Sequence, residues 1–537
     1  MYGRPPATSS PSQTELQELL ALFQSKDFNK AEILALSLTR MYENHPFAWK
    51  ILGAILQQTD RVEKSLIAKQ KAVSLSKKDF EAHNNLGIAY HELRQLQKAK
   101  KSYLQALALN PNHSGARYNL GNALRDLGEF EAAKKSYELA IKSNPKFAEA
   151  YNCLGIVLMT LGEAGQAEKC FKSSIKLNSR YADAYNNLAN LQRERREFSK
   201  AEVNYAKALA LNPHYFEAHQ NLGKLLQTLG RHHDSVMSFI NASKIRPDSD
   251  DTLYRLGFSF EELGKLVNAE KCYLKATELN PEHELATNNL LTCLYLQDKE
   301  AEFFEKLDEL IALGKSNAVI GSLVCRSLLK YGKKRSNLFC NEPLKFVSHV
   351  NLSNIIDFQS RFIDSVECIL SNQKLKNRGQ SLLENGFQTY GNLLDLDCSL
   401  TSDIENVIRD QLDNYRLKFK DSEEGLIKEW PIEYELSCWL VVMNSGGKIK
   451  PHIHDQGWLS GSIYINVPPK VQHDSGNLVL SIGEDRDTPD NFSKTREIID
   501  VNTGSMVLFP ASLTHYTIPF ESQDQRIVLA FDVNKVR

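Results

Sequence analysis

Apolar positions in the first three hundred residues recur at a fixed interval. Leucines stand at 52, 86, 120, 154, 188, 222, 256 and 290, each 34 residues after the last. A small residue follows at Gly53, Gly87, Gly121, Gly155, Ala189, Gly223 and Gly257, and Leu291 breaks the column. Twelve residues beyond that column stand Ala99, Ala133, Ala167, Ala201 and Ala269. A further column runs through Ala72, Ala106, Ala140, Ala208, Ala242 and Ala276, and Pro111, Pro145, Pro213, Pro247 and Pro281 close the units. The interval predicts pairs of antiparallel helices, because small residues allow close approach and proline stops the second helix. One pair cannot bury its own apolar face, so neighbouring pairs must stack. Residues 12–45 read as a degenerate first unit with Ala31 in phase, and the unit from about 284 grades into a capping helix.

The pattern then changes. Residues 300–340 keep helical periodicity without the columns and read as bridging helices. Residues 343–420 mix helices with the run GQSLLENGFQTYG, where a β-fold begins. Further on, Ser437–Asn444, Leu459–Val467, Gly476–Ile482, Gly504–Pro510 and Gln525–Val533 read as strands. Ser445-Gly446-Gly447 reads as the turn after the first, and Ala511-Ser512 turns into Leu513–Tyr516. Short strands punctuated by Gly and Pro argue a jelly roll or barrel rather than an α/β sheet.

Four residues in this segment carry candidate chemistry. Period-two geometry puts His452 and His454 on one side of an extended run, with Ile453 on the other. With His515 they can hold a divalent metal, and Arg526 can hold an anionic co-substrate beside it. Arg526, Val528 and Ala530 alternate against Ile527, Leu529 and Phe531, which sets the arginine among small residues with room for a ligand. Tyr464 and Ser462 share a face of their strand and either line the same pocket or pack the core. His473-Asp474 is a competing pair in the loop before the third strand.

Two family resemblances follow. The 34-residue unit resembles the tetratricopeptide repeat (TPR). Asparagine precedes the column leucine at Asn85, Asn119, Asn187, Asn221 and Asn289. This is similar to the asparagine ladder in the TPR superhelix of O-linked N-acetylglucosamine transferases, whose catalytic part has no counterpart here. The resemblance implies amides facing a concave groove, able to hydrogen-bond an extended peptide; the alternative is a local hydrogen-bonding role.

The second resemblance rests on PHIH, WLSGSIYINVP, SGNLVL, GSMVLFPASLTHYTIP and QRIVLAF, in that order over about residues 340–537. Together they resemble the bacterial and phage branch of the iron(II)/2-oxoglutarate-dependent oxygenases. The resemblance implies a double-stranded β-helix, a mononuclear Fe(II), and 2-oxoglutarate whose far carboxylate pairs with an arginine in the place of Arg526. Many relatives carry Ser or Thr two residues after that arginine; Val528 stands there, which puts the second hydrogen bond in doubt but not the ion pair. The usual iron site has two histidines and one carboxylate. Here His-x-Asp reads His-Ile-His, so the first reading is a His452, His454, His515 centre. The second is His452, Asp455 and His515, reached through a bend.

Composition adds limits. The 537 residues carry 65 basic and 66 acidic side chains, so bulk charge favours neither nucleic acid nor membrane. Nine scattered cysteines without a CxxC motif argue reduced thiols in a cytoplasmic setting. The Pro/Ser-rich start has no apolar core of a secretory signal, and no run approaches a membrane span. The expected organisation is an α + β multidomain chain. An arm spans 1–11, a TPR solenoid of eight or nine repeats 12–300, a helical linker 301–341, and a jelly-roll domain 342–537. Two function classes follow: a dioxygenase acting on a protein or peptide recruited by the TPR groove, or a non-catalytic TPR scaffold with a degenerate jelly-roll binding domain.

Overall fold

A computed structural model describes residues 10–371, 377–378, 382–389, 391–396, 399–483 and 495–536. Residues 1–9 of the expected N-terminal arm lie outside the described residues. The chain divides into two compact units, 1–263 and 264–537.

The first unit is built of helix pairs. Phe80–Glu92 with Leu96–Leu109, Ser114–Asp126 with Phe130–Ser143, and Ala148–Thr160 with Ala164–Leu177 repeat one pattern. The degenerate unit at 12–45 also holds a pair, Gln13–Gln24 and Phe28–Met41, with Ala31 fully buried. Leu86, Leu120, Leu154 and Leu188 are buried, and Leu222 is partly buried against its neighbours.

The structure shows what the small-residue column makes room for. A ring sixteen residues later in each unit lies across the glycine: Tyr103 on Gly87, Tyr137 on Gly121, Phe171 on Gly155 and Phe239 on Gly223. A Cβ on Gly155 would fall 2.5 Å from the Phe171 ring. Gly155→Val is therefore expected to lower stability by about 1–3 kcal/mol through overpacking, measured by chemical denaturation. The column has one exception. Lys69 packs on Gly53 where the six units that follow carry a ring, and it is 2% exposed. Its ammonium donates to Gln57 Oε1, and burial pulls its pKa down to about 8 against the opposing pull of Glu92.

The second unit opens with helices Leu266–Leu279, Glu284–Leu296, Glu300–Ala312 and Ala318–Tyr331. Among the described residues ten strands follow: β1 (Ser348–Asn351), β2 (Asn377–Arg378), β3 (Leu383–Thr389), β4 (Tyr434–Ile449), β5 (Gly457–Asn466), β6 (Leu478–Ser481), β7 (Arg496–Ile499), β8 (Ser505–Pro510), β9 (Thr514–Thr517) and β10 (Arg526–Lys535). They form a seven-stranded sheet in the order β1-β8-β5-β10-β4-β3-β2 and a three-stranded sheet β7-β6-β9, with antiparallel pairing throughout.

Alternation along β10 sorts the two cores. Leu529, Phe531 and Val533 face the layer made by helix Ser399–Lys418, with Ile404, Ile408, Leu412 and Tyr415. Val528 instead packs with Val441, Met443, Tyr464, Leu478, Leu480, Phe509 and Leu513, between the two sheets. One expected turn is absent. Ser445-Gly446-Gly447 does not end its strand; β4 runs on to Ile449, and its register against β3 shifts between Glu384 and Gly386. Gly446 takes the left-handed φ of 73° that such an irregularity needs, and its N–H donates to Phe520 O at 2.6 Å. A glycine pair thus marks a bulge as readily as a turn.

Candidate metal centre and arginine pocket

Backbone register brings two histidines together. His452, just past β4, forms an isolated antiparallel bridge with His515 in β9. The two exchange both bonds, His452 N to His515 O at 3.2 Å and His515 N to His452 O at 2.9 Å. Their ring centroids are 4.2 Å apart, and that of His454 lies 5.1 Å from His452 and 4.7 Å from His515. One ligand nitrogen from each ring lies within 4.8 Å of the other two.

Hydrogen bonds orient these rings. His452 Nδ1 faces Lys450 O at 2.9 Å, and His515 Nδ1 faces Leu513 O at 3.3 Å. His454 Nδ1 faces Asp532 Oδ1 at 2.5 Å. A carbonyl or carboxylate oxygen can only accept, so each Nδ1 carries the proton and each Nε2 keeps a lone pair. Two of those lone-pair atoms, on His452 and His454, stand 3.2 Å apart. Burial, helped by the neighbouring His454, pushes His452 down to about 4, and burial drives His515 well below its ordinary value. Burial would lower His454 too, but the charge and hydrogen bond of Asp532 outweigh it and raise its pKa. Three convergent Nε2 atoms, each a lone-pair donor when its imidazole is neutral, are a donor set for a divalent metal.

Asp532 has no counterpart in the sequence reading. It grips His454 from behind and accepts from Ser460 Oγ at 2.7 Å, a carboxylate–histidine arrangement that fixes the tautomer and raises ligand basicity. Asp532→Ala is therefore expected to weaken metal affinity about 10–100-fold, measured by competition with a chromogenic chelator. Asp455 is not brought into the cluster. Its side chain lines a separate cleft. His473 bonds its own neighbour Asp474 at 2.8 Å on the exposed surface, away from the three rings.

Arg526 opens β10 on the same inter-sheet face, one of the residues lining the cavity that also holds the three histidines, Ser462 and Tyr464. It is 1% exposed, with Nη1 3.3 Å from Thr517 Oγ1 and its guanidinium 5.1 Å from the Tyr464 ring centroid. Nε and Nη2 are buried without an acceptor. No carboxylate among the described residues pairs with it, and burial pulls its pKa below the usual value. A buried cation with two idle donors is costly unless an anion joins it.

The asparagine column is engaged within the repeats. Asn119, Asn187 and Asn221 each donate through Nδ2 to an asparagine of the preceding repeat, Asn84, Asn152 and Asn186, at 3.0–3.2 Å. Asn289 donates to the Tyr273 hydroxyl at 3.1 Å. Asn85 is half-buried beside Asn84. The local role is thus present, and it uses one of the two N–H donors of each of these four amides.

Comparison with known proteins accords with both halves. Residues 437–532 match the family described as "Putative 2OG-Fe(II) oxygenase". Tetratricopeptide repeat families match residues 80–113, 102–135, 121–162, 148–181, 182–215 and 251–283. Among solved structures, the APC/C hetero-tetramer Cut9–Hcn1 is similar at 16% identity and a TM-score of 0.41, over 52% of this chain and 55% of that one. The chain thus spans about half the length of that relative. YrrB, a TPR protein with an unusual peptide-binding site, is similar at 21% identity and a TM-score of 0.30, over 35% of this chain and 96% of its own. PilF of Pseudomonas aeruginosa is similar at 17% identity and 0.36, over 42% and 100%. No curated protein matches the chain. No helix among the described residues is long and apolar enough to cross a membrane. The chain carries tetratricopeptide repeats, followed by a C-terminal segment that matches the putative 2OG-Fe(II) oxygenase family.

Proposed function

We propose that the protein is a cytoplasmic Fe(II)/2-oxoglutarate-dependent dioxygenase that hydroxylates a protein or peptide recruited by its repeats. In this reading the repeats span 12–300, a helical cap 301–341 and the oxygenase domain 342–537. The observation that carries it is one cavity holding both a three-nitrogen donor set and a buried arginine without an anion. His452, His454 and His515 supply the metal ligands through Nε2. Arg526 receives the far carboxylate of 2-oxoglutarate on Nε and Nη2, the two donors with no protein acceptor. Thr517 steadies Nη1 and the Tyr464 ring backs the guanidinium, so the cation is held in place before the ligand arrives. The bound iron and co-substrate supply oxygen activation coupled to oxidative decarboxylation. Leu478, Phe509 and Val528 line the cavity with apolar surface and limit the water around it.

The test is metal analysis of the purified protein with 2-oxoglutarate-to-succinate turnover. Stoichiometric metal and succinate formation dependent on both Fe(II) and oxygen are expected. Metal bound without any succinate would favour the scaffold reading, which draws on the lack of a carboxylate among the three convergent ligands.

A further inference from the structure

Within the second unit a cleft of about 470 Å³ lies between the helices around 281–320, the 455–458 segment and the end of β10. That volume falls in the roughly 300–1,000 Å³ range of ligand sites. Asn288, 2% exposed, accepts from Asn317 Nδ2 at 3.1 Å on its Oδ1, while its own Nδ2 has no acceptor. Ser316 Oγ on the same lining is also buried and unpaired. Each such group is unfavourable in the folded protein until something bonds it. Asp455 closes the other side, the residue next to His454, so its Cα is about 3.8 Å from that of a metal-ligating candidate.

We propose that this cleft seats an extended peptide segment of a substrate protein, with a Lys or Arg side chain against Asp455. The inference rests on the oxygenase reading and deepens it by naming the substrate class. A peptide backbone presents carbonyls to the Asn288 amide and the Ser316 hydroxyl, and its own N–H groups to acceptors nearby. Charge selects a basic segment. The walls carry three carboxylates, Glu282, Glu284 and Asp455, against two ammonium groups, Lys315 and Lys535. Glu282 is neutralised by Lys315 at 2.6 Å, and Glu284 accepts from Asn317 at 3.0 Å. Lys535 stands 6.0 Å over the Trp458 ring. Asp455 has no ion-pair partner among the described residues, and it adjoins His454 along the chain. A negatively lined cleft also disfavours nucleic acid.

The test uses the full chain with Gln456→p-benzoylphenylalanine, a photoreactive side chain on the cleft wall. Ile432→p-benzoylphenylalanine, at a position 99% exposed and outside the cleft lining, is the control. Degenerate fluorescent peptides with a fixed central Lys are expected to cross-link at the cleft several-fold more than a matched set with central Glu, and more than at the control position. Asp455→Asn is expected to reduce the preference for Lys about three- to fivefold. Asn288→Leu is expected to weaken capture of both sets about fivefold. Labelling that is equal at the two positions, indifferent to the central charge, or replaced by labelling with a single-stranded oligonucleotide would overturn the proposal. Succinate turnover by the unaltered chain separates the two readings. Turnover without selective cross-linking removes the cleft and leaves the oxygenase, whereas selective cross-linking without metal or turnover does the reverse.

Discussion

Replacing His515 with alanine is expected to abolish stable metal binding and succinate formation together. His515 is 8% exposed, it bridges His452 through the backbone, and its ring packs 4.9 Å from Phe509. Its ring cannot be replaced by a neighbouring group, because no further His, Cys, Asp or Glu among the described residues joins the cluster. A structural metal held by four ligands contributes about 10–16 kcal/mol. One ligand of three therefore carries several kcal/mol, and affinity should fall at least about 10³-fold. The bridge uses only backbone atoms, so it survives the substitution and the fold should be retained. The measurement is iron content after dialysis against a weak chelator, with circular dichroism as the control for folding. Retention of metal at parental affinity would show that the imidazoles are not its ligands.

Arg526→Met should separate co-substrate binding from stability in opposite directions. Methionine approximates the arginine stem in volume but leaves no buried charge. Truncating one partner of a buried charge pair costs about 2–5 kcal/mol, so the KM for 2-oxoglutarate should rise about 10²–10³-fold. Metal content should change little, because Arg526 is not among the convergent ligands. The ligand-free protein should be as stable or more stable than its parent, since an uncompensated buried cation is removed from the core. A rise in KM with a lower melting temperature in the absence of ligand would mean that Arg526 serves the fold instead. Iron loss with unchanged 2-oxoglutarate affinity would contradict the assignment outright.

Much of this was legible in the chain, for identifiable reasons. A 34-residue interval survives because each helix pair must meet an identical neighbour, so burial repeats with it. The aromatic partners of the glycines, Tyr103, Tyr137, Phe171, Tyr205, Phe239 and Tyr273, stand at the same interval and were available to the same argument. Asp532 was likewise within reach. It shares the face of Arg526, Val528 and Ala530 by simple alternation, whereas Asp455 is the carboxylate that adjoins the His-Ile-His run. Distance along the chain is a poor guide in a sheet whose second-to-last and last long strands meet through register rather than sequence. Short strands were less legible. β7 has only four residues, three of them exposed, so it lacks a buried face to betray it. Nothing in the sequence separates a bulge at Gly446-Gly447 from a turn, since both need the same backbone freedom.

Lys69 gives the helix stack a seam. A stacked repeat array behaves as a row of units, each held by its own stability and by its nearest neighbours. One unit in the row has a buried ammonium where the six units after it have a ring. Lowering a lysine from 10.5 to about 8 corresponds to roughly 3 kcal/mol of differential stability. That penalty is felt in full below pH 8, where Lys69 is charged in both states. It fades as pH rises toward 10.5, because the unfolded chain then holds a proton that the folded chain has released. Opening of the leading helices at neutral pH should therefore run ahead of the rest. Amide exchange would report this as a step, with protons of Pro46–Gln58 and Val62–Leu75 leaving sooner than those of Ala148–Thr160, and the gap narrowing in alkaline buffer after correction for intrinsic exchange.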